Sequence, residues 1–223
     1  MPDTVLNREN LREHIRKHLA IYLVAIAVAL FAANFLWLVT TPRIPDDQEV
    51  LIYLAGPYSN AELLDDVAAD LLKRGQEVDP SLRSVEFQGL LFADPEQDYT
   101  GVMLLMTRLA TGEGDAFLAD ENAMNALVKS KACLPLDGYV NAGWLAQYGF
   151  TPRYDTFEDE ETGETTTQMT GLRIDSLTAL RDREAFENQG ACLAVVANGR
   201  NLETTMKVLE FMAEDLVKAG ETP

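Results

Sequence analysis

Both histidines of this 223-residue chain, His14 and His18, fall near its start, and that placement limits the chemistry available to everything after them. Four apart, they share one face of a helix, but two imidazoles alone do not make a metal site and nothing nearby completes one. Beyond them no imidazole remains to activate a Ser or Cys nucleophile or to serve as the commonest metal ligand. Cys133 and Cys192 are the only cysteines. They lack the paired spacing of a zinc site, and read either as a disulfide or as two buried free thiols. Neither common glycine-rich phosphate loop is present, because Gly112-Glu113-Gly114 lacks the flanking context. Carboxylates are abundant, with 36 Asp and Glu. Paired acids are the equipment of glycosidases, yet in so acidic a chain chance pairs are expected and a solvated face is the default. The acidic stretch 155–164 offers oxygen ligands of the kind calcium takes, without the EF-hand spacing. No metal and no cofactor is expected, and the chain does not read as an enzyme.

The elements that place the remaining candidates begin with Glu49-Val-Leu-Ile-Tyr-Leu-Ala55, a short apolar run suited to a strand buried on both faces. Gly56 and Pro57 end it. Ser59 or Asn60 can cap the next helix, whose Leu63, Leu64, Val67, Ala68, Leu71 and Leu72 recur at helical spacing until Gly75 supplies a stop. A strand over 84–92, a helix over 101–111, a strand over 116–119 and a helix capped by Asp120 and running to about 131 follow. Strand and helix alternate, which predicts an α/β domain with a mostly parallel sheet flanked by helices. In such sheets ligands bind beyond the carboxyl ends of the strands. The candidate binding residues are therefore Tyr58, Ser59 and Asn60 after the first strand, and Asp120, Glu121 and Asn122 after the third. All six also suit ordinary roles as caps and turn residues. Trp144, with Tyr148, has the aromatic face to stack on a sugar or to cover the core.

Later elements are less regular. Residues 134–150 form an irregular stretch, and a hairpin over 154–169 turns near Gly163. A strand is expected over 171–174, a short helix over 176–186 and a strand over 191–197. Asn198-Gly199 reads as a turn and Asn201 as the cap of a helix over 202–219, with Met206, Leu209, Met212 and Leu216 on its core side.

All of this hangs from residues 19–42, which contain no charged side chain and one strongly polar interruption, Asn34. About 20 apolar residues span the ~30 Å hydrocarbon core of a bilayer. Arg8, Arg12, Arg16 and Lys17 precede the run, and basic flanks stay cytoplasmic. The expected organisation is a cytoplasmic tail (1–18), a single-pass transmembrane helix (19–41), a linker (42–48) and an extracytoplasmic α/β domain (49–223). A cleaved signal peptide is the competing reading, but its apolar core is shorter, about 7–15 residues. The net charge is −18, and only Asp3, Glu9 and Glu13 among the acids precede the run. So acidic a domain argues against nucleic acid and against lying flat on anionic lipid.

Several short segments together carry a family likeness. Gly114-Asp-Ala-Phe-Leu-Ala-Asp120, a helix, and then Cys133-Leu-Pro-Leu-Asp137 resemble the extracellular solute-binding proteins of ABC transporters. Gly171-Leu-Arg-Ile174 falls where that family has a strand after a hairpin, and Ala194-Val-Val-Ala-Asn-Gly-Arg-Asn-Leu-Glu203 is similar to its returning strand and helix. The resemblance implies one lobe of a two-lobed clamp, since the portion that would build the second lobe is missing and the anchor is a helix in place of lipid. The function expected is a membrane-anchored binding or interaction module, accessory to a transporter or an envelope assembly, with a membrane protein or transporter subunit as partner and a small solute as possible ligand. Alternatives are an extracytoplasmic carboxylate-dependent hydrolase and a purely structural docking partner.

Overall fold

The computed structural model describes residues 8–40, 44–93, 98–158, 162–197 and 201–218. The chain divides into two compact units, Met1–Arg43 and Ile44–Pro223. The first is built on one helix, α1 (Arg8–Thr40). Its segment Arg16–Trp37 is 22 residues long, none of it buried, and is long and apolar enough to cross a membrane.

The second unit is α/β. Its elements in order are β1 (Glu49–Gly56), α2 (Asp65–Val78), β2 (Ser84–Leu91), α3 (Tyr99–Thr111), β3 (Ala116–Ala119), α4 (Glu121–Lys129), α5 (Ala142–Tyr148), β4 (Thr151–Glu158), β5 (Thr165–Arg173), α6 (Thr178–Asp182), β6 (Cys192–Val195) and α7 (Leu202–Lys218). The strands form one sheet in the order β2-β1-β3-β6-β5-β4. Alternate residues of the central strands feed opposite faces. Val50, Ile52 and Leu54 join Ala116, Leu118, Leu193 and Val195 in a core shared with α2 and α7. Tyr53, Ala55, Phe117, Ala119, Cys192 and Ala194 join a second core under α3 and α4. Period-2 alternation with both faces buried explains why β1, β3 and β6 read as unbroken apolar runs.

The expectation of a mostly parallel sheet is corrected: the sheet is mixed. β1 pairs in parallel with β2 and β3, but β6 inserts antiparallel beside β3, and β5 and β4 continue antiparallel. The regular strand–helix alternation, which forces parallel crossovers, stops after α4. The connection between β4 and β5 is too short for a crossover, so that pair can only be a hairpin. What reads as a separate strand over 171–174 is the end of β5.

Gly75 is not a helix stop, since α2 continues to Val78. A Cβ there would meet a Leu82 methyl at 2.6 Å, while the Val208 methyl of α7 would lie at an ordinary 3.4 Å, so the glycine makes room for the Leu82 side chain. The stretch 134–150 contains α5, whose start is fixed by Asn141 accepting from the Trp144 N–H at 2.9 Å. The helix expected over 176–186 is reduced to the five residues of α6. The Asn198-Gly199 turn and most of the acidic run after Glu158 lie outside the described residues. Cys133 and Cys192 are both free thiols.

Candidate functional site

The strand order reverses at β1, with β2 on one side and β3 on the other. A crevice is expected between the loops that leave β1 and β3, and the structure fills it with protein. Phe186 is 2% exposed and lies over Gly56. A Cβ on Gly56 would stand 3.1 Å from the Phe186 ring and 3.6 Å from the Asp120 Cβ. The plug is pinned from behind: Ser59 and Phe186 form an antiparallel bridge, and the Asn60 N–H donates to the Ala185 carbonyl at 2.8 Å. Glu184 turns the chain into this position with a left-handed φ of 56°.

The candidate residues are accordingly dispersed. Tyr58 is exposed at a recess of about 260 Å³ shared with Arg181, Glu184, Phe186 and Glu187. The Ser59 hydroxyl is buried and has no hydrogen-bond partner among the described residues. Asn60 makes no side-chain cap, and the chain enters α2 through a 3-10 turn, Ala61–Leu64. Asp120 does cap, accepting from the Ala123 N–H at 2.8 Å, and burial raises its pKa above the usual carboxylate value. Asn122 lines a cleft of about 580 Å³ between α3 and α4, with Val102, Met106 and Lys129. Trp144 packs on the other core, across the sheet.

Glu121 belongs to an ion cluster that the sequence did not announce. Arg153 on β4, its side chain 12% exposed, donates to Glu121 at 3.0 Å, to Asp155 at 3.0 Å and to Asn125 at 2.6 Å. Thr170 donates to Asp155 at 2.5 Å. Burial works against the Arg153 charge, but the Asp155 hydrogen bond and carboxylates more than offset it and raise the pKa. Burial likewise opposes the Asp155 charge, and the bonds from Arg153 and Thr170 pull its pKa down. Beside this cluster burial, reinforced by Asp155, pushes the Cys133 thiol up to about 12. Burial raises Cys192 as well. Thiols so shifted are neutral and inert at ordinary pH. The cluster clamps β4 to α4. Its one sequence signal is a lone arginine in an otherwise acidic strand.

An open groove of about 500 Å³ lies between α5 and α7, within the range of small-molecule sites, about 300–1,000 Å³. Its apolar lining is Tyr139, Trp144, Leu202 and Met206; its polar lining is Asn141, Glu203, Lys207 and Glu210. The Trp144 ring is held edge-on to Tyr148 and tilted against Phe150, each with centroids 5.2 Å apart. Tyr148 donates to Glu214 at 3.2 Å; burial and then that carboxylate push its pKa up to about 12. The other wall is anchored at the start of α7. Asp79 accepts from the Ser81 hydroxyl at 2.6 Å, from Asn201 at 3.0 Å and from Thr204 at 3.1 Å. The Ser81 and Asn201 bonds hold its pKa down at about 2. Trp144, a candidate by its aromatic face, lines this groove, and the four-residue spacings of Leu202 with Met206 and of Glu203 with Lys207 are its trace on α7.

Carboxylates gather at the amino end of β1, where Asp46, Glu49, Glu113 and Asp115 line a recess of only about 50 Å³. Burial, then Glu86 and Asp115, raise the Glu49 pKa, while Asp115 accepts from the Leu51 N–H at 2.8 Å. Among the described residues no group of three or more metal-ligating side chains converges. Comparison with protein-family models, with curated proteins and with solved structures finds no match for this chain.

Proposed function

We propose that the chain is a membrane-anchored binding module. Its α/β domain lies on the extracytoplasmic side and offers the groove between α5 and α7 to a solute or to a side chain of a partner, accessory to a transporter or envelope assembly. The observation that carries this reading is the groove itself: an aromatic and aliphatic floor rimmed by an amide and charged groups, with Trp144 fixed in place by the Asn141 cap and the Tyr148 and Phe150 rings. Such a site favours a ligand with one flat apolar face and hydrogen-bonding edges. Arg12, Arg16 and Lys17 at the amino end of the apolar helix support a cytoplasmic amino terminus.

The reading keeps the likeness to one lobe of a solute-binding protein as part of the proposal. Segments that carry it, dispersed in sequence, lie side by side: β3 pairs with β6, Cys133 bridges Val196, the Leu134 N–H donates to the Val195 carbonyl at 2.8 Å, and Leu172 faces Leu193. A carboxylate-dependent hydrolase has less behind it, because the cluster around Glu49 and Asp115 leaves no room for a sugar ring between paired acids.

The test is a ligand panel read by melting temperature on the full-length protein in detergent, run beside co-purification after mild extraction, with wild type and Met206→Lys compared. A ligand that raises the wild-type midpoint, or one stoichiometric companion, should be lost in Met206→Lys. A response that the substitution leaves intact moves the site elsewhere. Silence in both assays discards the binding reading.

A further inference from the structure

α1 carries a polar group where a membrane would offer it nothing to bond. The apolar run from Leu19 to Thr40 is centred near residue 30, so at ~1.5 Å per residue Asn34 sits about 6 Å from the midpoint, inside a half-thickness of ~15 Å. Its side chain is exposed on the helix surface, and among the described residues it has no hydrogen-bond partner. A primary amide left unpaired in hydrocarbon is costly, and across helices such groups bond to one another. Counting back from Asn34 in steps of four and three gives Leu30, Ala27, Leu23 and Ala20, and counting forward gives Trp37. This is one heptad seam, with Ala20, Ala27 and Asn34 in one row and Leu23, Leu30 and Trp37 in the other. Leu23, Leu30 and Trp37 are 59%, 67% and 73% exposed. The paired rings of His14 and His18 and Tyr22 fall on the far side of the helix from this seam, so the polar groups near its cytoplasmic end do not supply the missing partner.

We propose that α1 pairs with the same helix of a second copy of this chain, parallel and in register, with Asn34 bonded to Asn34 across the seam. Self-complementarity selects the occupant. An amide is both donor and acceptor, and identical single-pass chains inserted the same way carry it to the same depth, so each copy supplies what the other lacks. Alanines in the row of Asn34 let the backbones approach. The inference rests on α1 spanning a membrane, and two copies would present two binding grooves on one side of it.

The experiment is oxidative cross-linking of full-length protein in native membranes, with the parent chain, which retains Cys133 and Cys192, as baseline. Leu23→Cys, Ala27→Cys and Leu30→Cys should cross-link well above it, and Ala25→Cys, Ala29→Cys and Ala32→Cys, on the opposite face, should not. Adding Asn34→Leu to Leu30→Cys should cut the dimer yield about threefold, while Asn34→Gln should restore it. Cross-links that favour the opposite face, that show no periodicity, or that ignore Asn34→Leu overturn the pairing, as does capture of a different chain with no self cross-link. An alkaline wash separates the two failures: a chain retained in the pellet without cross-links sinks the pairing alone, and a chain released to the supernatant sinks the span and the pairing together.

Discussion

Two places on the α/β domain invite a ligand, and the chain treats them oppositely. At the carboxyl end of β1, where topology predicts a crevice, Phe186 closes over Gly56, and the plug is stitched to residues 59 and 60. Between α5 and α7, where topology predicts nothing, Trp144 and Met206 line an opening held apart by an asparagine cap on one wall and an aspartate on the other. The strand order says where a crevice is available. The connections decide whether it stays open, and a short loop carrying one large apolar side chain is enough to close it.

That contrast is best broken at Phe186. Phe186→Ala empties a fully packed site and should cost about 3–5 kcal/mol in urea denaturation of the full-length protein. A loss below ~1 kcal/mol would mean that the ring rests on the edge without sealing it. Asp120→Ala removes the cap of α4 from the same edge and should cost about 1 kcal/mol, while Asp120→Asn, still able to cap, should cost little. Met206→Lys in the open groove should move stability by no more than ~0.5 kcal/mol, because the lysine stem can follow the groove and leave its ammonium in water. A larger loss would show that the groove wall belongs to the core.

Acid should separate the two regions by sign. The Asp79 pKa is depressed in the fold, to about 2. The stability it gives the first turn of α7 is therefore present above its unfolded value of about 3.9 and is lost as pH falls toward 2. The Asp120 pKa is raised by burial, so that group disfavours folding once ionised and is relieved as pH falls through its folded value. Urea midpoints measured from pH 7 to pH 2 should show Asp79→Asn converging on wild type at the acid end, and Asp120→Asn differing from it least there. Parallel curves for the two variants would remove the distinction between a groove wall held by a charge and an edge that suffers one.

The first half of the domain was legible because its signals are local. β1 and β3 announce themselves through unbroken apolar runs, β2 through Val85 and Phe87 alternating with polar residues, and the helices between them through period-3.6 leucines and the Asp120 cap, none of which needs a distant partner. The second half was harder. The direction of β6 depends on which end of the sheet the chain re-enters from, and Gly75 looked like a stop because the Leu82 methyl that requires it is a tertiary neighbour. Phe186 read as the end of a helix because nothing within a few residues says that it will fold back over Gly56.

By itself, the sequence determined that one helix is apolar and long enough to cross a membrane, that the remainder is an acidic α/β domain, and that imidazole chemistry is absent beyond His18. Charge, hydropathy and period are sums over neighbours in the chain, so they survive without a fold. Only the tertiary structure decided that the sheet is mixed, that Arg153 is clamped by Glu121 and Asp155, that the topological crevice is plugged, and that Trp144 faces Met206 across an open groove. Apart from the Arg153–Asp155 bond, which is local to β4, these depend on residues far apart in the chain, brought together by which faces had to be buried.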